Sequence, residues 1–236
     1  MTRCLKCLDS FYERPSWSRI LMNKQPSYLC YKCEEKIEYI NGPRCLSCSR
    51  SLDKLSKRLQ KDSLCFDCIR WDKRVETKDL LERNYSLLYY NEFLKEWFAQ
   101  FKFNGDAVAA RYFSSILYKQ YQRHYREYTV VAIPLSKRSL EEREFNQVEL
   151  LIESWRCNTM TLGRIDREKQ SKKSRNDRIL LVQDSPFYVE EIAEKDLLNK
   201  VVLIDDIYTT GTTVRQAAKT LKKAGAQTVA SLTVAR

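Results

Sequence analysis

Residues 201–234 read VVLIDDIYTTGTTVRQAAKTLKKAGAQTVASLTV. VVLI is an unbroken β-branched and aliphatic run, as a central parallel strand shows when it is covered on both faces. From Thr212 the spacing changes: Val214, Ala217, Ala218 and Leu221 fall on one face of a predicted helix that Gly225 ends. TVASLTV at 228–234 predicts the returning strand. Strand, turn, helix and strand together predict a parallel α/β sheet. Its first turn holds the chemistry: Asp205 and Asp206 at the strand end, then Thr209, Thr210, Gly211, Thr212 and Thr213.

In such a sheet ligands sit outside the carboxyl ends of the strands. Backbone N–H groups of TTGTT at a helix start point into an anion, and the threonine hydroxyls add donors without adding charge. Gly211 lets the backbone approach closely in a chain with only five glycines. Two carboxylates cannot contact a phosphate, because like charges repel. They can accept hydrogen bonds from vicinal ribose hydroxyls, helped by a divalent ion that ties sugar to phosphate. A five-carbon sugar phosphate satisfies both halves of the turn. A plain strand-end acid pair before a hydroxyl-rich cap explains the helix start, but not the acid doublet and four threonines together.

The other strong signal lies at the opposite end of the chain. Eight of nine cysteines form four C-x-x-C pairs before residue 70: Cys4/Cys7, Cys30/Cys33, Cys45/Cys48 and Cys65/Cys68. Gaps of 22 and 16 residues separate the pairs within each half, and two pairs can supply four thiolates to a tetrahedral zinc ion. With all four positions filled by protein, such zinc is structural. The pairs can combine sequentially or interleave; the sequential choice closes each half locally. No βαβ pattern surrounds any pair to favour a thioredoxin-like redox role. Cys157 has no partner doublet and reads as a small core filler.

Forty-two Lys and Arg against 31 Asp and Glu give a formal charge of +11, which favours anionic partners, with nucleic acid the leading class. Each zinc bound by four thiolates carries a net −2, and two such sites lower +11 to +7. The start MTRCLKCLDS lacks an apolar signal region and no run of 18 apolar residues occurs, so the expectation is a cytoplasmic protein without a membrane span. The length predicts a zinc-binding module over 1–75 and a larger α/β domain over 76–236.

Between these ends, 51–63 predicts one short helix and SLLYY at 86–90 a strand. Residues 91–103 place Phe93, Leu94, Trp97, Phe98 and Phe101 on one face of a helix, which reads as core. A second helix is predicted over 106–126. Its end interleaves Tyr118, Tyr121, Tyr125 and Tyr128 with Lys119, Arg123 and Arg126. Base stacking would use that mixture, but a half-buried amphipathic helix explains it better. The lone His124 gives no support for a histidine triad. TVVAIPL at 129–135 predicts a strand, SKRSLEEREFNQ a loop, and VELLIESWRC a helix. Arg164 to Arg178 holds seven basic residues against three acids and reads as a loop folding over an anion or as a solvated linker.

VVLIDDIYTTGTT resembles the 5-phosphoribosyl-1-diphosphate signature of type I phosphoribosyltransferases, and no G-x-x-x-x-G-K competes with it. The order of motifs resembles the ComF family of late competence proteins over essentially the whole chain: cysteine knuckles, FKFNGD (101–106), IPLSKRSLEEREFNQ (133–147), KQSKKSRNDR (169–178), then the signature. The resemblance implies a type I phosphoribosyltransferase-like parallel sheet flanked by helices, preceded by a small Cys4 zinc-ribbon-type domain. It implies that Asp205 and Asp206 hold the ribose hydroxyls and that Thr209, Thr210, Gly211, Thr212 and Thr213 cradle the 5-phosphate. Pro134, Leu135, Ser136, Lys137 and Arg138 match the pyrophosphate loop, and Lys169, Lys172 and Lys173 fall in a flexible loop that acts as a lid. Glu144 stands where the family usually has glycine, which implies a backbone that runs differently there.

The ligands so expected are two structural Zn2+ ions, one held by each set of four cysteines, and phosphoribosyl diphosphate with Mg2+. The implied biology is DNA uptake and natural transformation, on incoming single-stranded DNA beside a competence DNA helicase. The signature reports a binding site and leaves turnover and acceptor open. The alternative is a salvage-type phosphoribosyltransferase with a small-molecule acceptor, whose zinc module serves as a structural hood.

Overall fold

The computed structural model describes residues 1–12, 27–103, 107–166, 185–189 and 195–236. The first two knuckles sit between β1 (Thr2–Arg3) and β2 (Ser10–Phe11) and on a single helical turn, α1 (Tyr31–Glu34). The last knuckle spans the hairpin of β3 (Gln60–Lys61) and β4 (Leu64–Cys65) and the start of α2 (Phe66–Asp72). The helix predicted for 51–63 is not there. A 3-10 turn at Lys57–Leu59 leads into β3, and Asp62 and Ser63 turn the hairpin with φ of 50° and 62°. Two successive left-handed residues make the tight turn that matches strand twist, and it returns Cys65 to Cys45, whose sulfur accepts the Cys65 N–H at 3.3 Å.

The C-terminal part follows as β5 (Asn84–Leu88), α3 (Glu92–Phe103), α4 (Ala107–His124), β6 (Thr129–Ala132), α5 (Lys137–Arg143) and α6 (Gln147–Ile152). A short antiparallel pair, β7 (Gly163–Arg164) with β8 (Phe187–Tyr188), precedes β9 (Lys200–Ile207), α7 (Thr212–Lys223) and β10 (Thr228–Ala235). The central sheet has the order β5-β10-β9-β6, with every neighbouring pair parallel. Its register sets Ile204 opposite both Leu232 and Ala132. Outside β5, Tyr39 bridges Leu88 antiparallel, with Ile40 N donating to Leu87 O and Tyr89 N to Glu38 O, each at 2.8 Å. Outside β6, Thr159 bridges Val130 in parallel.

The alternation of β9 sends Val202 and Ile204 to one face and Val201 and Leu203 to the other. The first face is covered by the predicted aromatic stripe. Leu94, Trp97, Phe98 and Phe101 of α3 are buried, and Phe98 stacks on Phe113 of α4 at 4.9 Å. Tyr121 and Tyr125 are buried in the same core, so the tyrosine run is a packing face. The second face carries α7, whose Val214, Ala217, Ala218 and Leu221 are all buried as the spacing predicts. The cysteines at 45, 48, 65 and 68 belong to this same apolar cluster.

Two further differences follow from capping chemistry. The segment read as a loop contains α5, because the Ser136 hydroxyl caps it by accepting from Ser139 N. The helix read through VELLIESWRC ends at Ile152, leaving Cys157 beyond it, partly buried against the core. Glu144 ends α5 with φ 64° and ψ −8°. The resemblance implied a different backbone path at this position, yet the glutamate adopts the left-handed conformation that glycine takes freely, at a cost of about 1–2 kcal/mol.

Candidate sugar-phosphate site and metal centres

The carboxyl ends of β6 and β9, which are hydrogen-bonded neighbours, release two loops side by side. From β9 come Asp205, Asp206 and the threonine turn; from β6 come Pro134 to Arg138. Ligands bind at such a strand-end crevice.

Gly211 opens α7 in the left-handed region, with φ 80° and no side-chain cap. A Cβ there would meet Tyr208 Oη at 2.1 Å and Arg215 Nη1 at 2.4 Å, so only glycine fits. The first turn of α7 contains no acidic residue, although acids are the usual stabilisers of that end. The helix starts with N–H groups that lie ahead of the first intrahelical bond, from Arg215 N to Gly211 O. Thr209 and Thr213 are exposed beside them, while the Thr210 and Thr212 hydroxyls bond each other at 2.9 Å. Uncapped amides, hydroxyl donors and no acid are the features by which a helix start can receive an anion.

The two carboxylates differ in environment. Asp206 is 7% exposed and lies on the α3 face, where Lys102 Nζ stands 2.5 Å from it and Gln147 Nε2 donates at 3.4 Å. Asp205 is half-buried, and its Oδ1 accepts from Asp206 N at 2.9 Å. Burial, reinforced by the charge of Asp206, pushes the Asp205 carboxyl up to about 8. A cation or a hydroxyl donor arriving at Asp205 would lower that cost. Lys102 and Gln147 were present in the quoted FKFNGD and FNQ motifs, but nothing in their spacing tied them to Asp206.

In the second loop, Pro134 O accepts from Arg164 Nη1 at 3.1 Å, and Ser136 caps α5. Leu135 is half-buried. The Lys137 N–H donates to both oxygens of Asp166, at 2.8 and 3.0 Å. Thus a carboxylate already occupies a donor in the loop matched to pyrophosphate. Arg138 is exposed and pairs with Glu142 four residues on. Lys169, Lys172 and Lys173 lie outside the described residues.

The cysteines gather in the sequential pairing: Cys4, Cys7, Cys30 and Cys33 in one group, Cys45, Cys48, Cys65 and Cys68 in the other, with all sulfurs of a group within 4.8 Å of one another. A tetrahedron with Zn–S of about 2.3 Å has edges of about 3.8 Å. Cys7 and Cys30 sulfurs are 3.8 Å apart, and Cys48 and Cys65 sulfurs 3.5 Å. Hydrogen bonds among the inner four sulfurs drive Cys45 far below the ordinary thiol value and Cys48 far above it. A divalent ion at the centre would stabilise all four as thiolates. Each group could therefore hold one zinc ion, the outer partly open at Cys7 and the inner fully buried.

Comparison with known proteins agrees with this geometry. The model of the phosphoribosyl transferase domain family matches residues 164–236, which span β7 to β10. Competence protein ComFC of Bacillus subtilis (strain 168) is 35% identical, over 99% of this chain and 94% of that protein. Competence protein ComFC of Streptococcus pneumoniae (strain ATCC BAA-255 / R6) is 32% identical, over 99% of this chain and 100% of that protein. With identity of this level along nearly its whole length, the chain belongs to the ComFC family of competence proteins.

Proposed function

We propose that this protein is a late competence protein that serves DNA uptake and natural transformation, with a working phosphoribosyl diphosphate site. The observation that carries the site is the uncapped, acid-free start of α7 beside Asp205. The amides and hydroxyls of Thr209 to Thr213 receive the 5-phosphate. Asp205 accepts from a ribose hydroxyl and supplies an oxygen ligand to Mg2+, a hard cation suited to carboxylate and phosphate oxygens. Asp206, set by Lys102 and Gln147, completes the ribose contact. Pro134 to Arg138 take the pyrophosphate, which displaces the Asp166 carboxylate from Lys137 N, and Lys169, Lys172 and Lys173 close over it. In this division, residues 1–75 form the zinc module and 76–236 the phosphoribosyltransferase-like domain. The protein acts in the cytoplasm on single-stranded DNA, beside a competence helicase; the basic balance supports an anionic polymer as partner. Among the described residues no helix is long and apolar enough to cross a membrane.

The test is calorimetric titration of phosphoribosyl diphosphate with Mg2+ into zinc-loaded protein, beside the Asp205→Asn, Asp206→Asn variant. Binding in the parent that the variant loses supports the site; absence of heat in both removes it. Single-strand affinity that falls steeply with salt supports the DNA role.

A cleft of about 280 Å3 favours the alternative, a phosphoribosyltransferase with a small-molecule acceptor. It lies beside Thr209, between the zinc module (Arg50, Lys54) and the sheet (Tyr89, Tyr208, Arg236). There the knuckles would act as the hood over an acceptor.

A further inference from the structure

We infer that the inner Cys4 centre sets the shape of the phosphate-binding turn, acting through Trp71 and Arg215 as positioning residues. The inference rests on the phosphate reading of that turn. Trp71 follows Cys68 by three residues on α2, nearly one helical turn, so a centre that holds Cys68 also aims the indole. The indole is 2% exposed, and its Nε1 donates to the carbonyl of Thr210 at 3.1 Å. Trp71 is not an ordinary core residue. Among the described residues the buried or partly buried apolar partner packed against it is Leu80, and its ring lies 4.5 Å from the guanidinium of Arg215.

Arg215 is likewise 2% exposed. Its Nη1 donates to Tyr208 Oη at 2.6 Å and reaches Gly211 O at 3.5 Å. Tyr208 and Gly211 flank the two threonines at the centre of the turn, so Trp71 and Arg215 grip it from beneath at Tyr208, Thr210 and Gly211. The gap left for Gly211 is closed by the same two atoms, Tyr208 Oη and Arg215 Nη1.

A buried guanidinium needs a counter-charge. Among the described residues, Arg215 has no ion pair with a carboxylate. The Cys68 and Cys48 sulfurs are among the groups that act on it electrostatically, beside the Tyr208 hydroxyl. A zinc tetrathiolate carries a net −2. A zinc-loaded inner centre would thus add negative charge near Arg215, beside the Trp71 face and the Tyr208 hydroxyl that hold it under the turn. No corresponding contact joins the outer centre to the turn among the described residues.

The test uses the full chain loaded with zinc. Trp71→Phe keeps the ring over Arg215 but deletes the indole donor; Arg215→Lys keeps the charge but deletes the stacked fork. Two readouts are taken: affinity for ribose 5-phosphate, and amide hydrogen exchange of residues 209–213, with β10 amides as an internal reference for global stability. The expected result is affinity lower by about five- to tenfold in Trp71→Phe, the effect of one lost hydrogen bond, with faster exchange confined to the turn. During slow removal of zinc from the parent by a chelator, protection of 209–213 falls with the inner ion and not with the outer one. Unchanged exchange of the turn in both variants and on loss of the inner ion overturns the inference. If the zinc-loaded parent binds no ribose 5-phosphate, the phosphate reading fails instead, and the exchange comparison still decides whether the centre holds the turn.

Discussion

Replacing Lys102 by Met should expose how Asp206 is held. The methionine keeps the apolar stem near Phe98, 5.6 Å from the ammonium, and removes the charge. The Lys102 and Asp206 side chains are only 20% and 10% exposed. Removing one partner of a buried pair costs about 3–5 kcal/mol, because the other charge stays behind uncompensated. The remaining solvent contact and the Gln147 donor move the estimate down to about 2–3 kcal/mol. Urea denaturation followed by circular dichroism would measure it in Lys102→Met, Asp206→Asn and the double variant. The double variant should be less destabilised than the sum of the singles by about 2 kcal/mol, the coupling of residues in direct contact. Adding Mg2+ should recover part of the loss in Lys102→Met, since a divalent ion can replace the missing ammonium. A Lys102→Met cost below about 0.5 kcal/mol, with additive singles, would refute the reasoning: such values belong to exposed pairs and independent sites. Asp206 would then be a carboxylate whose position Lys102 does not fix.

Zinc should leave in two phases. A chelator reaches the outer group first, through exposed Cys7, and the buried inner group only as the fold opens; a single phase of two ions in a colorimetric chelator assay would contradict that order. Glu144→Gly should stabilise by about 0.5–1 kcal/mol, the relief of left-handed strain less the extra entropy of glycine, read as a higher urea midpoint. Loss of stability instead would mean that the Glu144 side chain contributes more than its backbone costs. Asp205, with a folded value of about 8 against roughly 4 when unfolded, keeps its proton in the native state over that interval. Stability without Mg2+ should therefore fall as pH rises from 4 to 8, by up to about 1.4 kcal/mol per unit from this group. Asp205→Asn should lower that slope, and equal slopes in denaturation series from pH 5 to 8 would count against a raised Asp205.

The β9–α7–β10 unit was legible because its code is local. A run of four aliphatics buried on both faces, a 3.6-residue apolar spacing and a glycine at the stop each bear on neighbours in sequence. The cysteine grouping was legible for a similar reason, since two pairs with short gaps close without crossing. Contacts made across long stretches of chain were not. Lys102 meets Asp206 with a separation of 104 in sequence number, and Trp71 meets Thr210 with a separation of 139; packing of α3 and α2 against strand ends decides both. Residues 51–63 show the converse failure. Their composition suits a helix, but closing the inner cysteine group requires a tight hairpin at Asp62 and Ser63, and that closure overrides propensity.

The bridge from Tyr39 to Leu88 has a consequence for the chain as a solution species. Residues 38–40 engage the Leu87 carbonyl and the Tyr89 N–H on the outer side of β5, a strand buried at four of its five residues. An uncovered sheet edge, with its backbone donors and acceptors unpaired, is a template for joining other chains. A fragment beginning at residue 76 would bare that edge even if its own core formed. The N-terminal region thereby acts as an intramolecular guard against self-association, and a chain that lost its zinc before the sheet was covered would be at risk of clumping rather than of simple unfolding.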